Sequence, residues 1–304
     1  MSQPTHAPPA ATPRQPADSF ELGVVQLEAN PANEDYLGRA VEGVREAAEG
    51  GAQVIMLPEL FRWPYFCQAM TPDHFAYAEP LDGPSVSSLR PVARELGVVI
   101  VSSFFEERAP GLYHNTAAVI DADGEVLGYY RKSHIPDDPL YFEKFYFAPG
   151  DTGFKVFSTR YARVGVLVCW DQWYPEAARL TAMAGAELLV YPTAIGAIDA
   201  EGPEQHRLQR EAWQTAQRAH AISNGLYVAA ANRAGREQEL GFWGHSFVAG
   251  PQGELLAEAG DAGRQILRAS CSRSRLRDVR QWWPFFRDRR IDLYDGLVRR
   301  FGTP

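Results

Sequence analysis

Residues 163–176, RVGVLVCWDQWYPE, decide how this chain is read. The first half is an apolar run, 164–168, of the kind that forms a buried strand. It stops at Cys169-Trp170-Asp171, and Pro175 then supplies a residue suited to the first turn of a helix. A strand passing directly into a helix is the unit of an α/β sheet, and such sheets present reactive groups at the carboxyl ends of their strands. Cys169 stands at such an end. A thiol there can have its pKa lowered by backbone N–H groups or a nearby cation. The plain alternative is an inert apolar thiol that closes a hydrophobic strand.

Working outward, 21–27 (ELGVVQL) reads as a buried strand. Over 35–49, Tyr36, Leu37, Ala40, Val41, Val44, Ala47 and Ala48 recur at helical spacing, and Gly50-Gly51 ends the helix. Residues 54–57 (VIML) form a second strand. A helix near 86–96 leads through Gly97 into a third strand at 98–105. This βαβαβ rhythm predicts a sheet covered by helices. Segments 114–121, 126–132 and 154–159 are strand-like and joined by turns such as Asp123-Gly124, which points to antiparallel pairing. Beyond 163–169 come a helix around 175–184, a strand at 188–191 and a long helical stretch from about 204 to 222. Strands at 226–231, 245–249 and 265–270 follow. So many strands exceed one comfortable open sheet, so the expected architecture is α/β, two sheets sandwiched between outer helices.

The chain has 304 residues, 45% of them hydrophobic and 22% charged, the composition of a globular protein with a sizeable core. No linker, charge block or repeat interrupts 19–304, which is therefore read as a single domain. Residues 1–18, MSQPTHAPPAATPRQPAD, are half Pro and Ala and contain no apolar run, so they read as a disordered tail and not as a secretory signal. Lys and Arg total 30 against 38 Asp and Glu, a formal charge of −8 that argues against a nucleic-acid partner. No run approaches the roughly 20 apolar residues of a membrane span. Three cysteines, Cys67, Cys169 and Cys271, are too few for a disulfide framework or a thiolate-rich zinc site, and suggest the cytoplasm.

Two further strand ends carry reactive groups. The segment VIMLPELF places Glu59 just past an apolar strand, where a carboxylate either caps something or works as an acid/base with a raised pKa. The segment YYRKSHIP places Lys132 at another strand end; a lysine is ordinarily a solvated surface residue. Seven histidines are present and none has a context that singles it out as the base. Three separate strands each ending in a reactive residue form a pattern that surface placement does not explain.

LPELF around Glu59, YRKSHIP around Lys132 and VCWDQWYPEAAR around Cys169 resemble, in order and in wide spacing, the three signature segments of the nitrilase superfamily, the carbon–nitrogen hydrolases. Within it, FCQAMT, EKFYFAPGDTGFKVF, CWDQWYPEAARLTAMAGAELLVYPTAIG, SFVAGPQGELLAEAGD and FRDRRIDLY are most similar to the N-carbamoylputrescine amidohydrolases. The resemblance implies a four-layer α-β-β-α fold and catalysis without metal or organic cofactor. It implies Cys169 as nucleophile, Glu59 as general base and acid, Lys132 as the cation facing the tetrahedral intermediate, and Glu143 as a second, positioning glutamate. Lys132 beside Cys169 is expected to favour the thiolate, with the Trp170 N–H as a second oxyanion donor. The implied substrate is a small carbamoylated amine. Its cationic end calls for a carboxylate or aromatic faces, and Tyr65, Trp170, Asp171, Thr193 and Ala194 are the candidate pocket residues. Asp199, Glu201 and Glu204 in the next loop could also hold the amine, or simply form a solvated acidic loop.

Two stretches depart from the resembled enzymes. SHIPDDPLYF stands where they tend to a glycine-rich PDGPGY, and GFWGHSF puts His245 where they often carry an aromatic residue. Cys67 and Cys271 read as structural. Trp282, Trp283, Phe285 and Phe286, followed by Arg287, Arg289 and Arg290, read as packing or subunit contact, and the family likeness implies a homo-oligomer. The alternatives are a β-ureidopropionase or other amidase, whose substrate carboxylate would need an arginine clamp, and a catalytically silent scaffold, which would need none of Glu59, Lys132 and Cys169.

Overall fold

The computed structural model describes residues 17–29 and 35–302. The expected tail lies outside the described residues as far as position 16. Its last two positions are held in place: Arg273 N–H donates to the Asp18 carbonyl at 2.6 Å, and Ser274 Oγ donates to the Asp18 carboxylate at 2.8 Å.

Two sheets form the molecule. In the first, Val126–Arg131, Leu112–Ile120, Val99–Ala109, Val54–Met56, Ser19–Glu28, Arg233–Glu237, Leu240–Trp243 and Gly196–Ile198 lie side by side in that order. Gln265–Ser272 pairs antiparallel with Ser19–Glu28, in register Ser19 with Ser272. The second runs Leu255–Glu258, Phe247–Ala249, Tyr227–Ala231, Leu188–Pro192, Arg163–Val166 and Val156–Ser158. The middle of each is parallel: Ser19–Glu28, Val54–Met56 and Val99–Ala109 in one, Arg163–Val166, Leu188–Pro192 and Tyr227–Ala231 in the other.

The period-2 alternation of strand side chains sorts each strand between two cores. Leu22, Val24, Val54, Met56, Val99 and Val101 face the second sheet and meet Val164, Val166, Leu188, Val190 and Val228. Val25, Ile55, Leu57 and Ile100 point the other way, onto Ala40, Val44 and Ala47 of helix Tyr36–Glu49 and Val86, Leu89 and Val92 of helix Pro84–Leu96. Each such fully buried aliphatic contributes about 1.5–3 kcal/mol, before the entropy of ordering the chain is set against it. Gly23 lets helix and strand close up, since a Cβ there would stand 2.8 Å from that of Ala52. Helices Pro175–Met183 and Pro203–Asn224 cover the second sheet through Ala177, Ala178, Trp213 and Ala221. The four layers are α-β-β-α.

Several expectations need correction. The segment near 154–159 does not extend the antiparallel group of 114–121 and 126–132; it crosses to the second sheet and pairs with Arg163–Val166. The strand entering the signature segment ends at Val166, and Cys169–Trp173 forms a 3₁₀ turn with Cys169 itself at φ +42°. Four short strands, Gly196–Ile198, Arg233–Glu237, Leu240–Trp243 and Leu255–Glu258, are not visible in the hydropathy. Helix Arg273–Trp282 is not visible in the hydropathy either, because among its residues only Leu276 is buried and the rest are mostly polar.

Candidate active site

The inward faces of the first sheet's strands continue past its edge as polar groups. Ser103 follows the parity of Val99 and Val101, Asn115 that of Ala117 and Val119, and Lys132 that of Tyr130. All are buried at one end of the space between the sheets, together with Glu59 just beyond Val54–Met56. Cys169 arrives at that same end from the second sheet. The site is thus built at the seam where both sheets finish.

Lys132 Nζ donates to Glu59 Oε1 at 2.8 Å and to Glu143 Oε2 at 2.6 Å, and all three side chains are buried. Asn115 Nδ2 donates to Glu59 Oε1 at 2.7 Å, and Ser103 Oγ donates to the Asn115 side-chain oxygen Oδ1 at 2.9 Å. Glu59 Oε2 is buried with no hydrogen-bond donor on it. Cys169 Sγ lies 3.9 Å from the Ala194 carbonyl. Trp170 is the second residue of its 3₁₀ turn, so its N–H precedes the first bond of that turn, Asp171 N–H to Val168 O.

The charges set one another. Burial pushes the Glu143 carboxyl up to about 7, with Glu59 adding to the rise and Lys132 opposing it. Burial alone would lower the Lys132 ammonium, but Glu143 and Glu59 reverse this and hold it well above the usual lysine range. Burial and Glu59 push the Cys169 thiol well up, more than Lys132 lowers it. Burial first, and Glu59 with it, thus work against the thiolate that Lys132 beside Cys169 was expected to favour. Cys67 and Cys271 are buried, and burial raises both thiols as well.

A cavity of about 420 Å³ opens over Cys169. Aromatic faces of Tyr141, Trp170, Trp173 and Trp243 line it, with the carboxylates Asp138 and Glu201 towards its mouth, and no Lys or Arg stands among the described lining residues. Gln209 and Ala212 bring helix Pro203–Asn224 in as one wall.

Of the sequence-proposed pocket residues, Trp170 lines this cavity and the others lie behind it. Tyr65 is fully buried, with its hydroxyl donating to Glu143 Oε1 at 2.7 Å. Asp171 is a buried staple: its carboxylate accepts from Tyr130 Oη at 2.8 Å, from Val168 N–H at 3.0 Å and from His134 N–H at 3.0 Å. His134 Nδ1 also faces Asp171 Oδ1 at 2.6 Å, while the His134 ring stacks on Tyr174. Thr193 hydrogen-bonds to Gln172 and to the Tyr191 carbonyl, and Ala194 contributes its carbonyl beside the sulfur. In the acidic loop only Glu201 reaches the cavity; Asp199 pairs with Arg236 and Glu204 with Arg207. The unusual loop after His134 supplies Pro136, Asp138 and Pro139 to the cavity, whereas His245 borders a neighbouring groove on the far side of Trp243.

Sequence reasoning missed Asn115, Tyr141, Trp173, Trp243 and Arg233. Asn115 had a signal, an amide on the inward face of an otherwise apolar strand. Arg233 had none, since its strand reads as a polar turn. Among the described residues no group of three or more His, Cys, Asp or Glu is arranged to hold a metal, and no helix is long and apolar enough to cross a membrane.

Comparison with known proteins agrees with this geometry. The carbon-nitrogen hydrolase family model matches residues 21–281. The chain is 48% identical over 269 residues to an N-carbamoylputrescine amidase of Arabidopsis thaliana, covering 86% of this chain and 89% of that one. It is 41% identical over 288 residues to a citrullinase of Francisella tularensis, covering 93% and 99%. The crystal structure of a carbon-nitrogen hydrolase from Helicobacter pylori G27 superposes with a TM-score of 0.90 at 42% identity, covering 93% of this chain and all of the other. A buried Lys–Glu–Glu cluster beside a cysteine, on a chain whose residues 21–281 match the family model, makes this protein a member of the carbon-nitrogen hydrolase family.

Proposed function

We propose that the protein hydrolyses N-carbamoylputrescine to putrescine, carbon dioxide and ammonia through an S-thiocarbamate on Cys169. The observation that carries this reading is the cavity lining: aromatic faces and two carboxylates suit an alkyl chain ending in an ammonium. A substrate ending in a carboxylate would meet Asp138 and Glu201 with no described guanidinium to offset them.

Glu59 takes the Cys169 proton as sulfur attacks the ureido carbon, so thiolate forms only during attack. Lys132 and the Trp170 N–H face the developing oxyanion. Glu59 returns the proton to the departing nitrogen, and the C–N bond breaks to leave an S-thiocarbamate on Cys169. Glu59 then draws a proton from water as its oxygen attacks the thiocarbamate carbon, and passes that proton to the departing sulfur; the carbamic acid released breaks down to carbon dioxide and the second nitrogen product. Glu143 shares Lys132 with Glu59.

Ammonia release from a panel tests the assignment: N-carbamoylputrescine, N-carbamoyl-β-alanine, citrulline, a simple amide and a nitrile. Turnover is expected on the first and little on the rest. Release confined to N-carbamoyl-β-alanine or citrulline would overturn the substrate.

The same reading places the protein in the cytoplasm, in keeping with its three free cysteines. It also takes the chain to self-associate through its C-terminal segment, where Trp282, Ile291, Leu297, Val298 and Phe301 are exposed. Light scattering checks this, a monomer at micromolar concentration being the contrary result.

A further inference from the structure

We infer that Arg233 and Glu237, acting through the backbone at 59–63 and through Tyr65, are positioning residues that hold Glu59 and Glu143 in register on Lys132. The inference rests on the acid–base roles proposed above. Both residues sit on strand Arg233–Glu237, four apart and so on one face, with side chains almost fully buried. Their Nη1 and Oε1 atoms are 3.2 Å apart.

Arg233 works as a fork. Its Nη2 donates to the carbonyls of Glu59 at 3.1 Å, Leu60 at 2.6 Å and Trp63 at 2.9 Å, and its Nε donates to the Glu59 carbonyl at 3.3 Å. These carbonyls converge because the chain turns sharply after Glu59, with Leu60 at φ +49°. Turned inward and away from water, they need donors, and one planar guanidinium supplies several at once. A lysine ammonium in the same place is a point charge that cannot span them. The direction in which Glu59 leaves the backbone therefore depends on Arg233.

Glu237 extends the same support to the second acid. Its Oε2 accepts the Tyr65 N–H at 2.6 Å. The Tyr65 ring stands edge-on to Phe242, and its hydroxyl meets Glu143 Oε1 at 2.7 Å. The other oxygen of Glu143 is on Lys132. One buried pair on one strand thus sets the backbone of Glu59 and, through a tyrosine, the carboxylate of Glu143. Lys132, Glu59 and Tyr65 are the groups that act on the Glu143 charge, and the Tyr65 bond favours its ionised form.

Tyr65→Phe is the primary test, because it removes a single hydroxyl from a buried ring. We expect kcat to fall roughly 10- to 100-fold, the loss of one hydrogen bond to a charged group. KM should move little, the unfolding midpoint should fall by no more than that one bond accounts for, and the acid limb of the kcat/KM profile should shift to higher pH, which a purely structural loss would not do. Arg233→Lys should lower kcat comparably. Glu237→Gln, which keeps an acceptor for the Tyr65 N–H, should retain more activity than Glu237→Ala. Wild-type kcat and pH profile in both Tyr65→Phe and Arg233→Lys, with Glu59→Gln inactive, would overturn the positioning role alone. Full turnover by Glu59→Gln would break the underlying acid–base reading as well. Should Arg233→Lys not fold, Tyr65→Phe decides.

Discussion

The buried charged cluster beside Cys169 (the floor of the site, behind the cavity lining) and the mouth of the cavity are built on opposite principles. At the floor, Glu59, Lys132 and Glu143 are buried, charged and fixed by short hydrogen bonds to one another and to Asn115 and Tyr65. At the mouth, Asp138 and Glu201 are exposed, with aromatic walls between them and the floor. Charge in a water-poor floor interacts strongly and has little room to move, which suits bond making. Charge at a wet mouth interacts weakly and can sort substrates without disturbing the chemistry. The difference teaches that reaction and selectivity occupy separate layers of one site, so they should fail separately.

The hardest test of that separation is Cys169→Ala. It should lower kcat by roughly 10⁴-fold or more on every substrate, while a labelled carbamoyl amine still binds at the mouth. Loss of binding along with turnover would mean that floor and mouth are one unit. Lys132→Met comes next. It leaves two buried carboxylates facing each other, and should cost about 3–5 kcal/mol in chemical denaturation as well as the activity. An undiminished unfolding free energy would show that the floor is not under electrostatic tension.

Glu201→Gln probes the mouth alone. The expected change is a rise in KM of about three- to tenfold with kcat preserved, as befits an exposed ion pair worth about 1 kcal/mol. A fall in kcat instead would place Glu201 in the chemistry. The last test concerns pH. The Glu143 carboxyl is raised from 4.5 to about 7 in the folded protein, so there the native state holds a proton that the unfolded chain has released. Its contribution to stability is complete below 4.5 and is lost as pH rises towards and through about 7. Denaturation at pH 5 and pH 8 should show the loss, and Glu143→Gln should flatten it.

The sequence revealed the floor better than the mouth for a physical reason. Glu59, Lys132 and Cys169 follow apolar strands, and a reactive group at the end of such a run is conspicuous. The mouth draws on Tyr141, Trp173, Glu201 and Trp243, which come from loops and short strands. Nothing local in those stretches announces a shared cavity. Tyr65 reads from the sequence as a pocket residue, whereas the structure buries it with its hydroxyl on Glu143, because proximity along the chain does not say which face of a ring meets solvent. The regular fold was legible wherever periodicity was strong, in the central strands and in helices Tyr36–Glu49 and Pro203–Asn224. It was illegible at the rim, where Arg233–Glu237 is held by buried charge and not by apolar contact.

The pairing of Ser19–Glu28 with Gln265–Ser272 has a consequence for the order in which the molecule can be made. The first strand sits in the middle of its sheet, and one of its edges waits for a strand near the far end of the chain. On a ribosome, that edge stays open until residues 265–272 have emerged. Contacts of such long sequence separation make folding slow, and an open strand edge invites pairing with another chain. Truncation before residue 265 would therefore leave the cysteine turn and both glutamates translated but the central strand unsealed. Chaperone demand during synthesis should depend more on that late strand than on the residues that perform the reaction.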